Sequence, residues 1–452
     1  MSMRKSKKMR ALSAFCTLIM LVFALLPTTA HADEAEDNTT AAEPTVEHTK
    51  SAYLYNFEND RVLYEYNSTE RVYPASTVKI MTAIVIFDMM GDDLSRTITV
   101  TREMLDEVSG NRIGFYEGEI VTYEQMLYCM LVNSANDAAI ILAHGAAGST
   151  ESFVTLMNEK AAWIGAYDTY YTNPTGMHND AMITTARDTA TIAKYAYNIP
   201  GFIEITSTPK YVMEATNRSD YRNIYNRNCM ISKFYSDGYY YSRALGINAG
   251  ATTQGGYALC GIAEDPESGL TYLALTLGAE SVDGTLYNYK NVINMFNWAF
   301  DSYTYTTVLS SKQMICELEV KLSSALDHVT LVPSNDITVY LPVSVKKNDI
   351  RYSYNTYTDS LDAPVEAGVE VGMITVLHGD EILGSCPLIT TSGVSRSEFL
   401  YFLSSVKSFS EGRFFRATVI SIIVLSILYV IIKAGWRERK LRRTSDYRRT
   451  RR

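Results

Sequence analysis

Apolar and polar positions along the chain change character four times. Residues 11–27 form a mainly apolar run directly behind a basic start. Residues 50–305 then mix two periodicities. Aromatic and β-branched runs at 53–57 and 62–66 flank Glu58-Asn59-Asp60 and predict a hairpin. Residues 78–90 are apolar nearly all round, which predicts a buried helix. A helix is predicted over 123–142 with a break near Asn133, and amphipathic helices over 151–164 and 185–197. Residues 246–262 and 271–277 read as strands, and 288–300 as the last helix of this region. Helices mixed with strands that do not alternate predict an α/β or α+β domain over 50–305. Over 306–391 short β-rich runs (317–322, 338–341, 371–378) are punctuated by Pro and Gly, predicting a small all-β domain. Residues 392–413 read as a stalk. An uncharged Ile/Val/Leu run at 417–432, with Phe414 and Phe415 before it, predicts a transmembrane helix over 414–433.

Charge turns this layout into a topology. The chain has 452 residues and a net charge of -9, with 47% hydrophobic and 20% charged residues, a globular composition. The -9 is unevenly spread: residues 1–32 carry +5, residues 33–415 carry -23 and residues 416–452 carry +9. An acidic body argues against a nucleic-acid partner. Arg4, Lys5, Lys7, Lys8 and Arg10, the apolar run and Ala30-His31-Ala32 together read as a signal peptide over 1–32, with an uncleaved anchor as the alternative. Residues 33–49 are acidic and poor in apolar groups, and read as a tether. The basic tail, 434–452, contains Trp436 near its start and marks the cytoplasmic side. The expectation is a single-pass membrane protein with its body outside.

Cys16 lies in the leader, and Cys129, Cys229, Cys260, Cys316 and Cys386 are too scattered for a disulfide framework. They read as isolated buried thiols, with one bridge left open. Dispersed histidines and the lack of CxxC or HExxH patterns give no metal site, and no cofactor is expected.

The chemistry concentrates in three stretches. In Pro74-Ala75-Ser76-Thr77-Val78-Lys79, Ser76 and Lys79 stand three apart and share one helix face. A serine hydroxyl needs a base, and a lysine in a partly dry site can have its pKa lowered enough to act as one. Ser134-Ala135-Asn136-Asp137 follows an apolar run and offers a second hydroxyl and an amide. A third segment, 244–252, reads as a strand edge and contains Asn248, Ala249, Gly250, Ala251 and Thr252.

An S-x-x-K with an S-D-N-type and a K-T-G-type motif is the signature of penicillin-interacting serine enzymes. With Tyr73–Thr82, Val132–Ala139, Asn173-Pro174-Thr175-Gly176-Met177, Thr185-Ala186-Arg187-Asp188 and Leu383–Leu388, the chain resembles the low-molecular-mass penicillin-binding proteins of the D-alanyl-D-alanine carboxypeptidase type over roughly 50–390. The resemblance implies a transpeptidase/β-lactamase-like domain with a central antiparallel sheet between helices. It implies Ser76 as acylated nucleophile, Lys79 as its base, and Ser134 and Asn136 as second motif. The backbone N–H groups of Ser76 and Ala251 would form the oxyanion hole. Peptidoglycan stem peptides would be substrates and β-lactams inhibitors.

The third motif departs from the pattern. Asn248-Ala249-Gly250 stands where the family has Lys-Thr-Gly, with Gly246 and Thr252 matching on either side. Asn248 can hydrogen-bond a carboxylate but cannot pair its charge, and Ala249 cannot donate to it. Each lost donor of this kind costs roughly 2.7–4 kcal/mol. Arg243 is the nearest basic residue but falls on the opposite strand face. Two readings stand side by side, a D,D-carboxypeptidase of reduced rate and a binding or scaffold protein on the same fold. A β-lactamase lacks a marked deacylating carboxylate, and a Ser-His-Asp hydrolase lacks its GxSxG turn.

Overall fold

The computed structural model describes residues 43–449; the expected signal peptide, residues 33–42 of the tether and the last three residues lie outside the described residues. Residues 43–49 are a correction to the expected tether. Val46 packs against the back of the domain, Glu47 N–H donates to Asn291 Oδ1, and Asn291 Nδ2 donates to Glu47 O. Two apolar residues, buried Pro44 and half-buried Val46, and a paired backbone are enough to dock a segment that is otherwise polar.

A five-stranded antiparallel sheet centres the first domain. Its order is Arg61–Tyr66, Ser51–Asn56, Leu270–Ala279, Gly256–Asp265 and Ala244–Thr252. The middle strand Leu270–Ala279 is buried along its whole length, because both faces are covered. Helix Tyr287–Ser302 lies against one face through Val292, Met295 and Phe296. The other face meets the helical half, built on Val78–Met90, where every residue from Val78 to Phe87 is buried. Burying such an apolar side chain is worth about 1.5–3 kcal/mol, so this helix is fixed by its surroundings rather than by caps, and it has no side-chain N-cap.

Two sequence expectations shift. The helix expected over 123–142 is two, Tyr123–Asn133 and Asn136–Ala147, broken where expected. The strand expected over 246–262 is a hairpin, Ala244–Thr252 and Gly256–Asp265. Gly256 turns it at φ +68, and Thr252 Oγ1 accepts from Gly255 N–H. The break leaves Ala244–Thr252 as a sheet edge.

A second, β-rich unit follows. A six-stranded sheet runs Ile350–Thr356, Glu370–His378, Glu381–Thr390, His328–Pro333, Cys316–Lys321, Ser360–Asp362, with a separate pair Tyr303–Leu309 and Ile337–Pro342. It meets the first domain through Tyr272 OH and Tyr340 OH, 2.7 Å apart. Beyond it come the exposed helix Glu398–Glu411 and the helix Arg413–Arg449. The stretch Arg413–Arg439 is long and apolar enough to cross a membrane, and none of its apolar window is buried. Cys129, Cys229, Cys260, Cys316 and Cys386 are all free.

Candidate functional site

The nucleophile turn comes first. Pro74 leads into a 3₁₀ turn, Ala75–Thr77, and only then does the helix Val78–Met90 begin. Ser76 therefore sits just ahead of the helix, with the three-residue offset to Lys79 kept. Thr77 Oγ1 donates to Pro74 O at 2.7 Å and locks the turn. Ala75 sits at φ +48, a strained value for a residue with a Cβ. Lys79 Nζ lies 3.5 Å from Ser76 Oγ and 2.5 Å from Thr175 O. Lys79 is 0% exposed. Burial first, and the positive charge of Arg227 second, lower its pKa from the ordinary 10.5 to about 7. Such a lysine is neutral for a large share of molecules at neutral pH and can take a proton.

The second wall is the helix break. Helix Tyr123–Asn133 ends on Ser134 in a left-handed conformation at φ +56, and Asn136–Ala147 starts two residues on. Ser134 and Asn136 thereby line the same cavity as Ser76, of about 270 Å³. A covering loop fixes the break. Asn136 N–H donates to Asn111 O and its Nδ2 to Ser109 O, 2.8 and 2.7 Å. Asp137 is turned away from the cavity and accepts from Ile113 and Gly114 N–H; burial raises its pKa in spite of these bonds. Ser134 Oγ is buried and has no hydrogen-bond partner among the described residues.

The third wall is the sheet edge. Gly250 presses on the nucleophile: a Cβ there would lie 2.3 Å from Ser76 Cβ and 2.4 Å from its Oγ. Ala249, Gly250, Ala251 and Thr252 all line the cavity. Asn248 does not. It pairs with Cys260 as Gly250 pairs with Ala258, so it faces the helical half. Asn248 is 2% exposed and its Oδ1 has no hydrogen-bond partner among the described residues. Arg243 is engaged elsewhere, with Asp265 at 3.4 Å and over the Phe300 ring.

Arg227 is missing from the sequence expectations. It lines the cavity beside Ser76 and Ser134, and it is the one charged residue among those lining it. Its Nη1 donates to Asn111 Oδ1 at 2.8 Å and its guanidinium lies over Tyr235, 5.3 Å from the ring centre. Its N–H donates to Val132 O, just before the helix break. Neighbouring Asn226 ties the same segment to Thr206 O and Thr208 O. No local pattern in the sequence marks this placement, because its hydrogen bonds to Asn111 and Val132 are long-range; the bare signal is a lone arginine between two asparagines.

Arg187 and Asp188 are structural. Arg187 pairs with Glu65 at 2.9 Å, and Asp188 accepts from Asp168 N–H and Thr169 Oγ1. No group of three or more His, Cys, Asp or Glu that could hold a metal occurs among the described residues.

Known proteins resemble this chain over both domains. A family profile described as D-alanyl-D-alanine carboxypeptidase matches residues 37–281, and one described as penicillin-binding protein 5, C-terminal domain, matches residues 303–396. The chain is 28% identical over 357 residues to D-alanyl-D-alanine carboxypeptidase DacF of Bacillus subtilis, covering 78% of this chain and 88% of that one. It is 24% identical over 410 residues to D-alanyl-D-alanine carboxypeptidase DacA of Escherichia coli, covering 88% and 94%. The solved structure of penicillin-binding protein 5 from Haemophilus influenzae shares the fold, with a TM-score of 0.56 at 20% identity over 78% of this chain and 99% of that one.

Proposed function

The chain belongs to the D-alanyl-D-alanine carboxypeptidase family, and on that premise we propose that it removes the terminal D-alanine of peptidoglycan stem peptides through an acyl-enzyme on Ser76. The observation that carries this reading is the fully buried Lys79 amine 3.5 Å from Ser76 Oγ, in a cavity also lined by Ser134 and Asn136. Neutral Lys79 takes the Ser76 proton as Oγ attacks the carbonyl carbon of the penultimate D-alanine. The oxyanion is held by the backbone N–H groups of Ser76 and Ala251, the latter on an edge strand whose outer side is unpaired. The proton returns through Lys79 and Ser134 to the amine of the leaving D-alanine as the C–N bond breaks. Water then cleaves the Ser76 ester and regenerates the hydroxyl. Unpartnered Ser134 Oγ suits such a relay, since a substrate group can complete it.

The terminal carboxylate meets Arg227 in place of the missing third-motif lysine. Arg227 can form a two-pronged contact with a carboxylate, though one of its nitrogens is held by Asn111. Asn248 and Ala249 add no positive charge, and turnover is lower than with Lys-Thr-Gly at those positions. A second reading, a cell-wall or β-lactam-binding protein that acylates and scarcely turns over, is favoured by the same two residues. The helix Arg413–Arg439 anchors the protein, with its body outside the cell and its basic tail within.

The test is D-alanine release from a peptide ending in D-Ala-D-Ala by the full chain and by Ser76→Ala. Release lost in the variant supports the carboxypeptidase. Penicillin labelling of Ser76 without release supports the binding reading. Neither labelling nor release refutes both.

A further inference from the structure

Beneath the nucleophile turn lies the loop Asn173-Pro174-Thr175-Gly176-Met177, which the mechanism above uses only through Thr175 O. We propose that Asn173 is the positioning residue that aims the Lys79 amine at Ser76; the proposal rests on the acyl-enzyme reading.

The Asn173 side chain acts as a hub for the loop. Its Oδ1 accepts from Thr175 N–H at 3.2 Å, Thr175 Oγ1 at 2.8 Å and Gly176 N–H at 2.9 Å. Its Nδ2 donates to Met177 O at 2.9 Å. With the amide hydrogens folded inward onto one side chain, the carbonyls of Pro174 and Thr175 point outward to the nucleophile helix. Pro174 O accepts from Thr82 Oγ1 at 2.7 Å, and Thr175 O accepts from Lys79 Nζ. Residues 79 and 82 are three apart, so two successive carbonyls grip one face of the helix.

Gly176 closes the contact. At φ +81 it lies so near the turn that a Cβ would stand 2.0 Å from Ala75 O and 3.1 Å from Ser76 Cα. The loop cannot drift without moving the nucleophile.

A neutral amine has two hydrogens and one lone pair. Nothing but geometry decides where the lone pair points. Thr175 O takes one N–H, which turns the lone pair toward Ser76 Oγ. The charged groups around Lys79 do not do this work. Arg227 acts through its charge from the wall that carries Ser134, His178 pairs with Asp180 at the far end of the loop, and Asp137 is spent on Ile113 and Gly114 N–H.

Fluorescent-penicillin acylation rates of the full chain test this across the neutral pH range, with the noncovalent affinity for the penicillin measured separately. Asn173→Ala releases the loop, and acylation falls about 10²-fold at every pH with affinity unchanged, the cost of a misplacement of order 1 Å. Asn173→Asp keeps the three accepted bonds and adds a negative charge near the amine. It retains most of the rate at high pH, but its acid limb moves to higher pH because Lys79 holds its proton longer. A purely structural residue would lower thermal stability in both variants and leave the acylation rate of folded Asn173→Ala near that of wild type. Wild-type rates in Asn173→Ala, or a loss in Asn173→Asp at high pH as large as that in Asn173→Ala, overturn the proposal. If wild type is labelled no better than Ser76→Ala, the acyl-enzyme reading itself fails and this proposal with it.

Discussion

The two ends of one cavity are built to different standards. At the nucleophile end, Ser76 is pressed by Gly250 and Gly176, Lys79 is aimed by Thr175 O, and Thr175 is held by Asn173. At the strand end, Asn248 is buried with an unpartnered oxygen, Ala249 offers no donor, and the positive charge stands across the cavity on Arg227. The difference separates two requirements of acyl transfer. Making the ester needs a few atoms in fixed geometry. Recognising a carboxylate needs a charge within reach, and more than one wall of a cavity can hold it.

The largest effect is expected where the two ends touch. Gly250→Ala puts a methyl group 2.4 Å from Ser76 Oγ, so acylation of the folded protein by any β-lactam should fall at least ~10³-fold, the scale of losing a preorganised contact at the reacting centre, with the melting temperature lowered as the strand or the turn shifts to make room. Near-normal labelling of that variant would show that the edge strand does not pack on the nucleophile as described.

Arg227→Gln should cost about 10²–10³-fold in kcat/KM for a peptide with a free terminal carboxylate, the scale of losing one preorganised charged donor. The loss should shrink for the same peptide with its terminus amidated. It should also shift the acid limb of acylation upward, because the Arg227 charge helps to lower the Lys79 pKa. In wild type that limb should have its midpoint near pH 7: below it Lys79 is protonated and cannot act as base, above it the rate levels off.

The reverse change, Asn248→Lys with Ala249→Thr, should raise turnover about 10-fold or more, the scale of restored charged contacts offset by the mutual repulsion of the introduced ammonium, Lys79 and Arg227. No gain in D-alanine release would mean that Arg227 already does all that the strand end can do.

Legibility in the sequence follows the same divide. The helix Val78–Met90 stands out because its apolar character runs all round, and the break at Asn133 because a polar pair interrupts an apolar run. Ser76, Lys79, Ser134 and Asn136 are local in sequence to those elements, so they are found with them. The hairpin within 246–262 is marked in the sequence by polar Thr252-Thr253-Gln254 and the turn pair Gly255-Gly256, a signal that the expectation of one continuous strand passes over. Arg227 is invisible because its place depends on Val132, Asn111 and Tyr235, all distant in sequence or ordinary in composition. Asn173 belongs to a recognisable motif, yet its work is done through the backbone of its neighbours.

The smallest effect on chemistry, and a larger one on stability, is expected at the support of the Arg227 wall. Glu119 is 0% exposed and accepts from both terminal nitrogens of Arg222, at 2.7 and 3.1 Å, in the strand Arg222–Tyr225 that leads to Arg227. Burial alone would raise its pKa, but the Arg222, Tyr116 and Thr216 hydrogen bonds overcome this and hold it below the ordinary value. Its contribution is therefore present above the unfolded carboxylate pKa and is lost as pH falls through the lower folded value. Glu119→Gln leaves Arg222 unpaired and should cost about 3 kcal/mol in urea unfolding at neutral pH. Penicillin acylation of the folded fraction should change little, since the nucleophile end is held independently.

Whether Ser76 is the acylated group is decided by the intact mass of the full chain after brief exposure to penicillin, followed through washout. One adduct per chain is expected on Ser76, absent in Ser76→Ala, with a formation rate whose midpoint lies near pH 7. An adduct on another residue, or labelling that survives Ser76→Ala, would contradict this assignment.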